Sequence, residues 1–204
     1  MLEVLNDRRE EVERDPVSIV GITGTPGVGK STVAKKLEEL GFSVYRVNEL
    51  AEKFGCIIDR EEGCAVVDLE KLRRIRDELK STGEEVIFVE GHLSHHLADM
   101  AIVLRCNPLV LKERLEERLE SGEGWSEEKI MENVEAELVD AVLIEAMDVC
   151  GEVYEIDTTD RSVDEVVSAI LGIVSGKDRE MYLPGKVDWI SEVGDRIDEV
   201  MRRF

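Results

Sequence analysis

The stretch GTPGVGKST, Gly24 to Thr32, constrains this chain more than any other. It satisfies the pattern G-x-x-x-x-G-K-[ST] at Gly24, Gly29, Lys30 and Ser31. Its context agrees. VSIVGIT, Val17 to Thr23, is short, β-branched and closed by glycine, which predicts a buried strand. Ser31–Leu40 carries Val33, Ala34 and Leu37 at helical spacing, and Gly41 stops it. A small-residue turn between strand and helix lets successive backbone N–H groups face inward and surround a phosphate. The helix that follows points its positive end at the same anion. Lys30 adds a full charge between the outer phosphates, and the Ser31 hydroxyl is of the type that ligates Mg²⁺. The ligand this implies is a nucleoside triphosphate with Mg²⁺. The chain has no N-K-x-D base-reading motif of the GTP switch proteins, which favours ATP.

Further strands are expected at Phe42–Val47, Glu84–His92 (running into a turn), Met100–Cys106 and Glu152–Asp157. Helices are expected at Asn48–Phe54, at Asp68–Lys80, after Asn107-Pro108 through LVLKERLEERLE, from Ser126 to about Cys150, and at Val163–Val174. The segment between Phe54 and Cys64 reads as irregular. A last helix, Val187–Phe204, would carry Ile190, Val193, Ile197, Val200, Met201 and Phe204 on one side. The strands are apolar throughout rather than alternating, and they alternate with helices. Such a pattern describes a parallel sheet covered on both faces, an α/β three-layer sandwich of the P-loop NTPase kind with five parallel strands. Ligands of such sheets sit at the carboxyl ends of the strands. The organisation expected is a charged extension over 1–16, a core over 17–175 and a helical extension over 176–204.

The 204 residues suit one domain with a sizeable core. The longest apolar runs are strand-sized, so no membrane span is expected. The first residues, MLEVLNDRREEVERDP, lack the apolar stretch of a signal peptide, and a cytoplasmic location is expected. Cys56, Cys64, Cys106 and Cys150 form no CxxC pair and read as reduced, mostly buried thiols. The formal charge of −21 opposes a nucleic-acid backbone, so no direct nucleic-acid binding is expected, whereas a basic protein would be attracted. The same acidity also serves plain solubility. The absence of Gln, with 36% of residues charged, hints at a heat-adapted source.

A second constellation is VEGHLSHH, Val89 to His96. Glu90 closes the third strand, where a P-loop enzyme needs an acid to hold the metal's water shell. His92 lies in the turn beyond it and is placed to position a water or substrate phosphate, or to relay a proton. The chain's three histidines all lie here. Their spacing admits a metal site, but no acidic or cysteine ligand set accompanies them, so His95 and His96 read as solvent-facing or packing residues.

The segments GITGTPGVGKST, VEGHLSHHLAD, IVLRCNP and YEIDTT, spread over Val17–Val174, resemble the adenylate kinase isoenzyme 6 family. That family includes the coilin-interacting nuclear ATPase and its archaeal relatives. The resemblance implies a nucleoside monophosphate (NMP) kinase with a short NMP-binding segment and a small lid, having adenylate kinase and ATPase activity. It also implies a role in small ribosomal subunit maturation through a basic ribosomal protein. Carried onto this chain, ATP contacts fall on Gly27, Gly29, Lys30, Ser31 and Thr32. The acid that holds Mg²⁺ through water falls on Glu90, where eukaryotic members usually have Asp. The catalytic histidine falls on His92, and the lid arginine, both an ATP contact and catalytic, on Arg118, with Lys30 also catalytic. The NMP-binding segment falls at about 46–70 and the lid at about 117–129. The chain departs from the family in LESGEG, between Arg118 and Trp125, which is longer than the short R-G-aromatic lid.

Arg114 and Arg118 are four apart and share a helix face. An arginine fork there suits a phosphoryl group in transfer, but ERLEERLE equally supplies Glu–Arg surface pairs. Arg114 reads as a surface pair, while both readings stand for Arg118. Arg105 either reaches a phosphate or is structurally paired. Residues 119–140 hold eight carboxylates against one lysine, a solvated helix face or a docking surface for a basic protein. Two functions follow: phosphoryl transfer from MgATP to AMP with accompanying hydrolysis, or an ATP-switched assembly factor that grips a basic ribosomal protein. A kinase for another small metabolite also remains.

Overall fold

The computed structural model describes residues 19–61 and 64–202. The extension expected over 1–16, the first two residues of the expected strand at Val17, and Phe204 lie outside them. Along the chain run β1 (Ile19–Thr23), α1 (Lys30–Glu39), β2 (Ser43–Arg46), α2 (Val47–Lys53), β3 (Ile57–Glu61), β4 (Cys64–Val67), α3 (Leu69–Lys80), β5 (Ile87–Glu90), β6 (Met100–Arg105), α4 (Pro108–Glu120), α5 (Glu127–Leu138), α6 (Ala141–Val149), β7 (Glu152–Asp157), α7 (Val163–Val174) and α8 (Trp189–Val193).

Five strands make one parallel sheet in the order β2-β5-β1-β6-β7. Every residue of β1, β5 and β6 is buried, which is why these strands read as unbroken apolar runs: helices cover both faces. On one face Val20 and Ile22 of β1 pack with Leu37 of α1, Leu111 of α4 and Ile170 of α7. On the other, Ile19 packs with Leu72 and Ile75 of α3 and Leu143 of α6. Burying such a Leu or Ile contributes about 1.5–3 kcal/mol each. β1 lies at the centre, so the loop leaving its end emerges where the connections diverge toward β5 and β6.

The expected elements from Ile19 to Phe54 and from Glu152 to Val174 are present within a few residues of the expected bounds. Three departures have local causes. The segment expected to be irregular forms the antiparallel hairpin β3–β4, with a register shift between Ile57 and Asp59. Its strands are short and carry charge, which hides the strand pattern. The single helix expected from Ser126 to Cys150 breaks at Asp140, which takes a left-handed conformation (φ 59°) and ion-pairs with Arg105. The single amphipathic helix expected over 187–204 is instead α8 and a 3-10 turn over Gly194–Glu199, interrupted by Gly194 at φ 54°. Trp189, Val193 and Val200 go inside, while Ile190 and Met201 stay exposed, so the apolar residues do not share one face. Cys56, Cys106 and Cys150 are free and buried, and burial pushes the Cys106 thiol up to about 12, which makes it inert; the Cys64 side chain lies outside what is described. Among the described residues no helix is long and apolar enough to cross a membrane.

Candidate active site

Gly24 leaves β1 at φ 133°, and a Cβ there would stand 2.4 Å from the Leu104 carbonyl oxygen. Only glycine lets the loop pass this close to β6. Lys30 opens α1 and folds back across the loop, its Nζ donating to the carbonyls of Gly24 (2.8 Å) and Thr25 (2.9 Å). Burial lowers the Lys30 pKa to about 8, against the pull of the Glu90 and Glu137 carboxylates.

Glu90 ends β5, in register with Ile22 of the adjacent β1, so its carboxylate comes to lie beside the loop. Ser31 Oγ donates to Glu90 Oε1 at 3.2 Å. The two sequence-predicted metal residues are thus together, and their hard oxygen donors fit Mg²⁺, which prefers such ligands with water completing its shell.

Loop, acid and histidine border one cavity of about 870 Å³. Lys30, Ser31, Glu90, His92, Arg114 and Arg118 all line it, as do Gly27, Gly29 and Thr32. The His92 ring opens into the cavity while its backbone is tied down: the Thr23 hydroxyl donates to the His92 carbonyl at 2.8 Å. Partial desolvation, and then the Lys30 charge, hold the His92 pKa below the ordinary histidine value, although the residue as a whole is exposed. A neutral imidazole there can accept or relay a proton.

Arg118 Nε donates to Glu123 Oε2 at 2.7 Å, and its guanidinium lies 5.2 Å from the centre of the Trp125 ring. It therefore makes a surface pair and faces the cavity as well. Arg114, read from sequence as a surface pair, instead donates from Nη2 to the Thr159 carbonyl at 3.0 Å and lines the cavity. Arg46 and Asn48, from the junction of β2 and α2, border the same space. Both fall inside the expected NMP-binding segment, about 46–70, though sequence reasoning singled out neither; a strand-end arginine beside a helix start was the available signal.

Arg105 is 1% exposed and reaches Glu137 (2.7 Å), Glu155 (3.0 Å) and Asp140. It is structural and does not line the cavity. Glu137, part of the run read as a solvated face or docking surface, is 2% exposed. It accepts hydrogen bonds from Thr25 Oγ1 (2.6 Å), Arg105 Nε (2.7 Å), Cys106 N (3.2 Å) and Trp189 Nε1 (2.9 Å). Its place was legible in principle, because Ile130, Val134, Glu137 and Leu138 form one buried stripe at helical spacing. His95 and His96 are both buried, which fits packing and not solvent, and the missing carboxylate is supplied by Glu145 of α6, 3.1 Å from His96 Nε2.

A phosphate-binding loop at the central strand of a parallel sheet, with an acid at the end of the neighbouring strand, defines a P-loop NTPase. A family model described as an AAA domain matches residues 20–140. A protein of Archaeoglobus fulgidus named "Putative adenylate kinase" is 52% identical over 188 residues, covering 91% of this chain and 99% of its own length. Proteins of the same name from Pyrococcus abyssi (44% identity; 90% of this chain, 97% of that one) and Methanocaldococcus jannaschii (41%; 86% and 95%) are similar in the same way. Among solved structures, a shikimate kinase of Acinetobacter baumannii shares the fold, with a TM-score of 0.54 at 17% identity over 78% of this chain and 94% of that one. The chain belongs to this AAA-domain family, and within it to the archaeal-type nucleoside monophosphate kinases.

Proposed function

We propose that the protein transfers the terminal phosphoryl group of MgATP to AMP, with hydrolysis of ATP as an accompanying reaction. The observation that carries this is the single cavity in which Lys30, Ser31, Glu90, His92 and three arginines converge. The loop amides, Gly27, Gly29, Thr32 and Lys30 hold the triphosphate. Ser31 and, through water, Glu90 would hold Mg²⁺, which supplies charge neutralisation of the outer phosphates. An AMP phosphate oxygen attacks the γ-phosphorus as the bond to the ADP oxygen breaks, so no protein nucleophile is needed. Lys30, Arg114 and Arg118 stabilise the charge on the transferring group. His92 orients the acceptor or a water. Residues 46–70 serve as the acceptor segment, with Arg46 and Asn48 on its cavity side, and residues 117–129 as the lid. Exclusion of water by so small a lid is incomplete, hence the hydrolysis. Coupled assays of ADP formation with and without AMP test the reading: AMP should accelerate turnover, and no stimulation by AMP rejects a kinase of this acceptor.

A second reading, an ATP-switched assembly factor that binds a basic small-subunit ribosomal protein, is favoured by the net charge and by the exposed carboxylates of Glu120, Glu123, Glu127, Glu128 and Glu132. Binding to purified ribosomal proteins over a range of salt concentrations decides it, and absence of any partner at low salt rejects it.

A further inference from the structure

The turn after β5 holds a second cluster of chemistry that phosphoryl transfer does not use. His95 and His96 sit on a 3-10 turn, Ser94–His96, seated against Gly21 of β1. A Cβ at Gly21 would lie 2.9 Å from Ala98 Cβ and 3.1 Å from the Ser94 carbonyl oxygen, so the glycine admits the turn. Glu145 reaches in from α6. Its Oε1 lies 3.1 Å from His96 Nε2 and 3.6 Å from His95 Nε2, and the three ligand atoms all fall within 4.8 Å of one another.

The protonation of His95 follows from its neighbour. A threonine hydroxyl has one proton, and Thr23 gives it to the His92 carbonyl at 2.8 Å. The contact of 3.1 Å between Thr23 Oγ1 and His95 Nδ1 is then a hydrogen bond donated by the ring. Nδ1 carries the proton, and Nε2 presents a bare lone pair. That nitrogen is buried on a residue 1% exposed, has no hydrogen-bond partner, and faces a carboxylate that can only accept. What a lone pair and a carboxylate can share is a cation.

We propose that His95 Nε2, His96 Nε2 and Glu145 Oε1 bind one Zn²⁺ or a similar divalent transition ion, at a site separate from the Mg²⁺-nucleotide cavity. Ligands about 2.0–2.1 Å from a tetrahedral zinc stand about 3.3 Å apart. The two nitrogen–oxygen separations, 3.1 and 3.6 Å, bracket that edge. The two imidazoles need to close by at most about 1.5 Å to meet the same geometry. The outer partner is already in place, because ligating histidines donate their other N–H to an oxygen that orients the ring, as His95 does to Thr23. On binding, the proton that His96 Nε2 donates to Glu145 moves to Nδ1, which frees Nε2 for the ion. Two neutral imidazoles and one carboxylate leave a fourth position, which water fills from the half-exposed side of Glu145. The ion would fasten the turn that carries His92 to β1 and α6.

The test is calorimetric titration of the chelator-treated full chain with Zn²⁺, without nucleotide, beside Glu145→Gln, His96→Gln and Glu90→Gln. One zinc per chain is expected, with affinity reduced on the order of 100-fold by the Glu145 and His96 changes and unaltered by the Glu90 change. No zinc binding by the folded protein overturns the assignment, as does zinc binding that survives both ligand changes or is lost with Glu90→Gln. Should the ligand variants fail to fold, X-ray absorption on the zinc-loaded unaltered protein serves instead: two imidazoles on the metal support the site, and none rejects it.

Discussion

Replacing Glu137 tests whether the phosphate loop is held in shape by a residue far from its own motif. In Glu137→Ala, Arg105 loses one of three carboxylates but keeps Asp140 and Glu155. Breaking a buried ion pair from one side costs about 3–5 kcal/mol, and the two surviving partners bring this case down to about 2–3 kcal/mol. The Trp189 indole N–H, 2.9 Å from Glu137, and the more weakly bonded Cys106 N–H, at 3.2 Å, lose this acceptor and together add about 1–2 kcal/mol. The sum is about 4 kcal/mol, much of the ~5–15 kcal/mol by which folded proteins exceed their unfolded chains. Glu137→Gln keeps an oxygen for Arg105, Cys106 and Trp189, and turns its amide toward Thr25, whose hydroxyl can rotate to accept. The loss there is the charge-assisted part alone, about 1–2 kcal/mol. Urea unfolding, with the slope checked for constancy, measures both. The Thr25 tie of 2.6 Å is lost in the alanine variant, and its MgATP dissociation constant should rise about tenfold. An alanine variant within 1 kcal/mol of the parent, roughly the threshold for a lost hydrogen bond, would refute the reasoning, as would glutamine proving as harmful as alanine.

Three further outcomes are expected. Lys30, with its pKa near 8, must be protonated to hold a polyphosphate, and the bound anion raises that pKa; the proton-rich state is the bound one, so affinity is full below pH 8 and falls about tenfold per unit above it. Calorimetry in buffers of different ionisation enthalpy should show uptake of about 0.9 proton at pH 9 and about 0.1 at pH 7, and flat affinity across this range would contradict the burial of the ammonium. His92→Ala should lower kcat on the order of 100-fold while leaving ATP affinity within about threefold; unchanged turnover removes the ring from the chemistry. Gly24→Ala should abolish MgATP binding, since its Cβ would need the Leu104 carbonyl to move from 2.4 Å; retained affinity in a fluorescent-nucleotide titration would show that the loop has slack there.

The parallel core was legible because its signals are local. β1 and the Met100–Leu104 stretch of β6 read as buried apolar runs, and α7 is capped by Ser162 in a capping box closed by Glu165. The phosphate loop, Glu90 and His92 were legible for the same reason, since each sits at or just past the end of a strand. What the sequence concealed depends on distance along the chain. The carboxylate beside His96 comes 49 residues later, and the tryptophan bonded to Glu137 comes 52 residues later. No periodicity links such pairs, and a glutamate in an acidic run carries no mark of its burial except its slot in an apolar stripe. The C-terminal segment misled for a related reason: its apolar residues suited one helix face, but a buried indole and a glycine at φ 54° set its course.

These distant contacts share a design that bears on how the site works. Thr23, at the end of β1, is tied to the His92 carbonyl and the His95 ring. Thr25, inside the loop, is tied to Glu137 of α5. The Val28 carbonyl, later in the loop, lies 2.9 Å from the Thr158 hydroxyl of the segment after β7, which shares its one proton between it and the Arg105 carbonyl at 2.8 Å. Three hydroxyls, each from or to a different part of the fold, thus hold successive points of one backbone turn. Donors that are already aimed need no rearrangement when charge moves during phosphoryl transfer, and that is where electrostatic stabilisation has its largest effect. The motif therefore specifies that a phosphate can be surrounded, while the rest of the chain keeps the surrounding amides still. It follows that substitutions at Glu137 or Thr158, neither of which lines the cavity of Lys30 and Glu90, should lower turnover together with affinity, whereas loss of His92 should lower turnover alone.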